Sequence, residues 1–396
     1  MANGPQPQGV TERLHFLDNL KTFIIFLVVF FHSAYAYALY LSKDWYVVDT
    51  QHSLFFDVFI VVVFAFIMPV MFFVAGYMGI ASLARKSQAD FWRDKLWRII
   101  APWALGALIV APAIAYVAHA SRGDYPSYLS YWAHYFFSQD YQMHGQVHFY
   151  FLCVLALYYV VLWVVYRIYP SLSARSVLKP STLFLVLFGL ATGILCYFGL
   201  LFVDEGRWVK IAIFDVPGAK FIPFMCYFFL GVLAYRRQWF TPFGYDPRLW
   251  PWALMCTGSF VVFTTFLNEQ LRTTTVGMIG YSLFQFLLCL AAVFALFAVF
   301  QKYLNFTNRL LTNLSVCSYG TYFIHYLVIV VVILGLRGFH MNVFLKWLIG
   351  GAVSAIVSYL ISRYLLARTP LFGRTARRPG TSGSMDGSLG VVSPAH

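Results

Sequence analysis

Charge is scarce in this chain: Asp, Glu, Lys and Arg make up 11% of its 396 residues, and only 15 of them are acidic. An ordinary soluble domain carries about 25% charged residues, so a water-facing globular fold is excluded. Cysteine is sparse as well. The six present (Cys153, Cys196, Cys226, Cys256, Cys289 and Cys317) all fall in apolar runs and form no CxxC pair, so they read as small packing residues rather than disulfide partners or metal ligands. No Asp or Glu stands in the middle of an apolar run, since Asp18 and Asp57 fall towards run ends. Ion-coupled carriers commonly place carboxylates there, and their lack weighs against that class.

What the chain has in abundance is apolar surface: 61% hydrophobic and 20% aromatic residues, with a mean hydropathy of +0.71. A spanning helix uses about 20 residues, and ten apolar runs fit the length, near 20–41, 54–83, 99–119, 147–166, 182–203, 219–235, 249–267, 278–300, 315–336 and 343–366. The expected fold is an all-α polytopic membrane protein of about ten transmembrane helices. It forms a single transmembrane domain over 13–370, between tails at 1–12 and 371–396 whose Gly, Pro, Ser and Gln content predicts disorder. The net charge of +13 does not imply a nucleic-acid partner, because the basic residues lie between apolar runs. With the N-terminus inside, nineteen Lys and Arg fall on inner segments and eight on outer ones, with Lys21 inside the first run. Positive residues are retained on the cytoplasmic side, so both termini are expected there.

Ionisable groups at membrane depth are costly and persist with a reason. Lys21 and His32 are eleven residues apart, which places them about 20° from alignment on one helix face, with Lys21 about 16 Å nearer the inner end. Asp18 can pair with Lys21 and is too far along the axis to orient His32; Asp57, descending from the outer side, is the candidate for that task. In the ninth run, SYGTYFIH at 318–325 lines up Ser318, Tyr322 and His325 on one face, with His325 near the depth of His32. Either histidine can be helix-bonding glue or a reactive imidazole, the latter a suitable general base or nucleophile. Arg85, Lys86, Arg93, Lys95 and Arg98 form a basic inner segment, which the positive-inside rule explains and which also suits phosphate. The outer stretch Tyr125, Tyr128, Tyr131, Trp132, Tyr135, Phe136, Phe137 and Tyr141 suits either an interfacial belt or a sugar-stacking surface. His144 and His148 have metal-compatible spacing, but no Glu follows His144 and no metal is expected.

Taken in order, these stretches resemble the acyltransferase-3 membrane proteins. Lys21 and His32, separated by ten residues, look like the family's opening signature, with lysine where arginine is usual. WRDKLWRIIAP at 92–102 is similar to its basic motif before the third helix, HFYFL at 148–152 to its aromatic helix entry, FFLG at 228–231 to its mid-chain motif, and 318–325 to its late motif. The chain looks most like the glucan biosynthesis protein C branch, which decorates periplasmic glucans with succinyl groups. The resemblance implies a membrane O-acyltransferase of the cell envelope, in a bacterial inner membrane. It would move an acetyl- or succinyl-type group from cytoplasmic acyl-CoA, as donor substrate, to a hydroxyl of an extracytoplasmic glycan or glycolipid. His32 and His325 would be catalytic, and Lys21, Arg93 and Arg98 would hold the donor. The expected partners are acyl-CoA, the acceptor and the lipid bilayer. A multi-pass transporter of a small organic anion or glycan precursor is the competing class.

The charge count predicts that cysteine probes in 85–98 and 236–248 stay unlabelled by an impermeant reagent in intact cells, whereas probes in 120–146 and 204–218 react. Labelling of both sets would overturn the helix count.

Overall fold

The computed structural model of the chain describes residues 14–43, 45–123, 127–137, 145–211 and 213–372. The expected tails (apart from residues 371–372), Tyr125, Tyr141 and His144 lie outside the described residues. Eleven helices are used below: α1 (His15–Ala34), α2 (Leu54–Leu83), α3 (Gln88–Ala120), α4 (Tyr128–Tyr135), α5 (Tyr150–Ile168), α6 (Thr182–Leu200), α7 (Phe221–Arg236), α8 (Leu249–Thr265), α9 (Thr275–Tyr303), α10 (Arg309–Leu336) and α11 (Val343–Tyr364). Among the described residues eight helical segments are long and apolar enough to cross a membrane, and the shorter apolar helices α7 and α8 occupy the other two expected positions. The fold is all-α and polytopic, apart from one antiparallel hairpin that the sequence pattern did not suggest, β1 (Trp208–Ile211) with β2 (Phe214–Pro217). All six cysteines are free.

Two helices depart from expectation for identifiable reasons. The first was expected to run from 20 to 41, yet α1 starts at His15 and ends at Ala34, followed by a single turn over Tyr35–Tyr37. Its start is held by Asn305, whose side chain accepts from the Phe16 N–H, and by Asn19, which donates to the Leu304 and Phe306 carbonyls. Its end is forced by Asp57. That carboxylate accepts the backbone N–H groups of Leu39, Tyr40 and Leu41 at 2.7, 3.0 and 2.9 Å, turning the chain away. The third begins eleven residues earlier than expected, and π-helical turns at Leu96–Ile100 and Gly106–Val110 interrupt it.

Proline explains those turns. Pro102 and Pro112 cannot donate to the carbonyls four residues back, and inside a bilayer no water replaces the lost bond. The Arg98 carbonyl accepts from the Tyr319 hydroxyl of α10 at 2.6 Å, and the Leu108 carbonyl accepts from the Trp132 indole of α4 at 2.6 Å. The hydroxyl of Tyr128 donates to the next carbonyl, Ile109, at 2.8 Å. Part of the outer aromatic stretch therefore knits α4 to α3.

Close packing centres on α2 and α7. A Cβ at Gly76 would lie 1.9 Å from the Phe228 carbonyl oxygen, and one at Gly231 would lie 1.9 Å from that of Phe73. Small residues of this kind let membrane helices approach backbone to backbone, which gives the FFLG stretch a packing role. The segment between α1 and α2 is fixed by Lys346 of α11, whose ammonium lies 2.8 Å from Asp49 with both side chains fully buried.

Gly231→Ala is expected to force α2 and α7 apart and to cost about 1–3 kcal/mol or more. Gly258→Ala, on α8 with nothing within 4 Å of its Cβ position, should be neutral or stabilising. Thermal midpoints of the two purified variants make the comparison, and equal midpoints would remove the packing role assigned to Gly231.

Candidate active site

A cavity of about 640 Å³ is walled by α1, α2, α5, α9 and α10, by the C-terminal end of α8 and by the segment 217–220 that leads into α7. On α1, Ile24, Ile25, Val28 and His32 line it because they recur at helical spacing, and Ile60, Phe64, Ile67 and Met71 do the same on α2. Every charged lining residue (Lys43, Glu205, Arg207, Lys220 and Arg272) lies on the connecting segments at the mouth. The spanning walls carry none. The cavity is thus polar at one end and apolar below.

His32 and His325, sequence neighbours of nothing in common, meet at this cavity. His32 Nδ1 lies 2.9 Å from His325 Nε2, joining α1 to α10. His325 Nδ1 lies 2.6 Å from the Tyr322 carbonyl oxygen, which can only accept. His325 therefore carries its proton on Nδ1 and accepts at Nε2, which makes His32 Nδ1 the donor. The remaining nitrogen, His32 Nε2, keeps its lone pair. His32 lines the cavity, while His325 is fully buried behind it. Its orienting partner is thus His325. Asp57 is not, since its oxygens are taken by the backbone at 39–41. His32 stands two residues from the C-terminal end of α1, whereas His325 lies near the middle of α10.

A third imidazole, His148, completes the cluster, with its ring 4.8 Å from that of His325 and stacked at 5.3 Å on Tyr326. It sits just ahead of α5, where Val147 adopts φ +53°. A β-branched residue in the left-handed region is a true outlier and costs of order 1–3 kcal/mol. Local bonds hold it there. The Tyr322 hydroxyl donates to the His148 carbonyl at 2.6 Å, and buried Gln146 is bonded to Trp103, Ile213 and Asp215. Sequence reading weighed His148 as a metal ligand and as a motif residue, and no signal placed it beside His325. Among the described residues no His, Cys, Asp and Glu group is arranged to hold a metal.

The other expected site residues lie elsewhere. Lys21 pairs with Asp18 at 2.8 Å, Arg93 with Asp90 at 2.6 Å and Arg98 with Asp94 at 2.9 Å. None of the three cations lines the cavity. The aromatic stretch at 128–137 does not line it either, because Tyr131 and Tyr135 are buried and Tyr128 and Trp132 bond to α3. The rings at the mouth are instead Tyr40, Trp45, Tyr46 and Trp208.

One further cluster was missed. Glu205 receives Lys220 at 3.2 Å, Arg272 at 2.9 Å and the Tyr281 hydroxyl, tying three outer segments around the mouth. Burial by itself would raise its carboxyl, but the two cations and the hydroxyl outweigh burial and hold it below the usual carboxylate range. Charges so far apart in sequence carry no local pattern.

No curated protein and no solved structure matches the chain. The acyltransferase-3 family, described as an acyltransferase domain, matches residues 14–363. That span contains the apolar helices, the cavity and the paired imidazoles, and the chain belongs to the acyltransferase-3 family.

Proposed function

We propose that this integral multi-pass membrane acyltransferase is an O-acyltransferase. It takes an acyl group of acetyl or succinyl type from cytoplasmic acyl-CoA and gives it to a hydroxyl of an extracytoplasmic glycan or glycolipid. The observation that carries the reading is the one-way hydrogen-bond chain from His32 through His325 to the Tyr322 carbonyl. It leaves His32 Nε2 as an acceptor at the wall of a cavity whose mouth is polar and whose depth is apolar.

In this reading His32 Nε2 takes the proton of the acceptor hydroxyl as its oxygen attacks the thioester carbonyl carbon. The carbon–sulfur bond then breaks, and the CoA thiolate recovers the proton from His32. The imidazolium formed in between is stabilised through His325, whose Nε2 accepts from the His32 Nδ1–H. His325 is thus a positioning residue, and His32 is the one that meets the reacting atoms. The donor's phosphates would be met at the inner side by Lys21, Arg93 and Arg98, each already held in place by a carboxylate. The inner and outer assignments rest on the distribution of Lys and Arg, which also favours both termini on the cytoplasmic side, as in a bacterial inner membrane.

His32→Gln should lower the transfer rate by about 10²–10⁴-fold, the usual worth of a general base, with folded yield and donor binding near those of the parent. His325→Gln should lower it less, because glutamine can still accept from His32. Transfer of label from radiolabelled acetyl-CoA or succinyl-CoA into the glycan or lipid fraction of membranes measures both. Near-parental transfer by His32→Gln would exclude it as base. In the same membranes, Lys21→Ala should weaken donor binding, each charge-assisted contact being worth about 1.5–3 kcal/mol, whereas Lys21→Arg should match or exceed the parent. Equal donor affinity in Lys21→Ala and the parent would remove the anchor role.

A further inference from the structure

Buried indoles in this chain generally find an acceptor. Trp103 donates to Gln146, Trp252 to Tyr245 and half-buried Trp347 to the Phe30 carbonyl. Among the described residues Trp45 Nε1 and Trp163 Nε1 are buried with no partner, and of these two only Trp45 lines the cavity. An unpaired buried donor costs about 1–3 kcal/mol. Trp45 is nevertheless held firmly. Its ring is stacked at 4.9 Å on Tyr35 and at 6.1 Å on His32, and meets Tyr326 at 5.0 Å.

The segment that carries it is pinned by two carboxylates. Asp57 binds the backbone at 39–41 on one side, and Asp49, paired with Lys346, fixes the other. The backbone N–H of Trp45 donates to the Ser42 carbonyl at 2.9 Å. A single unpaired indole donor is thus fixed on a stiff segment beside an imidazole with a free lone pair. Among the described residues, three other buried atoms without a partner belong to lining residues, and they differ in kind. His148 Nδ1 is an acceptor, because its Nε2 faces the Phe323 carbonyl at 3.3 Å, Gln285 Oε1 can only accept, and Arg272 Nε belongs to the Glu205 cluster at the mouth.

We propose that Trp45 Nε1–H is the oxyanion donor of the transfer, a catalytic residue that stabilises the negative charge on the thioester carbonyl oxygen. This rests on the reading of His32 as base. When the acceptor oxygen bonds to the carbonyl carbon, its proton passes to His32 Nε2 and the carbonyl electron pair moves onto oxygen, where the indole N–H donates to it. The pair returns as the carbon–sulfur bond breaks, and the thiolate leaves with the proton from His32. A preorganised donor in a water-poor site needs no rearrangement as charge develops, which is where such donors gain their effect.

The test uses the full chain in membranes with radiolabelled acetyl-CoA and succinyl-CoA. Trp45→Phe keeps an aromatic ring and removes the N–H. The transfer rate at saturating donor should fall by about 10²–10³-fold, while the donor concentration at half-saturation and the folded yield remain those of the parent. Benzothienylalanine introduced at position 45 keeps the bicyclic shape and also lacks the N–H, so it should show the same loss, and it decides the matter if Trp45→Phe does not fold. A parental rate with benzothienylalanine, or a loss confined to half-saturation, would overturn the proposal and leave Trp45 a packing residue. If the parent transfers neither label, it is the acyltransfer reading of the cavity that fails, and the two failures are told apart.

Discussion

Within an apolar slab every polar backbone group has to find its partner in the protein, and the architecture follows from how this chain meets that demand. Two prolines in α3 free carbonyls that Tyr319 and Trp132 then bind, so breaks in one helix become ties to α10 and α4. The three N–H groups at 39–41, left over where α1 stops, are gathered by Asp57 of α2. The carbonyls of His148 and Tyr322 are met by the Tyr322 hydroxyl and the His325 imidazole. The last of these bonds sets the site, because it fixes which nitrogen of His325 is protonated and therefore which nitrogen of His32 is free.

The cavity inherits its chemistry from the same separation of polar and apolar parts. Charges stand on connecting segments, where Glu205 gathers Lys220, Arg272 and Tyr281, and apolar side chains line the helices beneath. Between the two regions, His32, Trp45, Tyr326 and His148 form a compact aromatic group. In the proposed transfer, a hydroxyl-bearing acceptor and an acyl group would meet there. The family match over residues 14–363 supports an acyltransferase.

Much of the scaffold was legible in the sequence because membrane helices declare themselves by length and composition. The run expected at 54–83 coincides with α2, and the expected end of the ninth run matches that of α10. Where reading failed, a non-local contact had intervened. The first helix ends early because a carboxylate 23 residues beyond Ala34 in sequence, Asp57, captures its exit. The third starts early because the basic motif at 92–102 is itself helical, its proline accommodated by a π turn. The aromatic outer stretch suited either an interfacial belt or a sugar surface, and among its described rings Tyr131 and Tyr135 are buried while Tyr128 and Trp132 donate to carbonyls of α3.

By itself the sequence determined an all-α membrane bundle, most of its helix positions, the shared face of Lys21 and His32, and the presence of a second imidazole at 325. These follow from composition and from a period of 3.6 residues, both of which act locally. Only the tertiary structure decided that His325 stands behind His32, that Asp57 serves the backbone instead, that His148 joins them and that the Trp45 indole is left unpaired. Those outcomes depend on contacts between atoms as many as 293 residues apart. Which of several polar groups is satisfied, and which is left with a free lone pair or proton, is settled only when the helices have packed and water has been excluded.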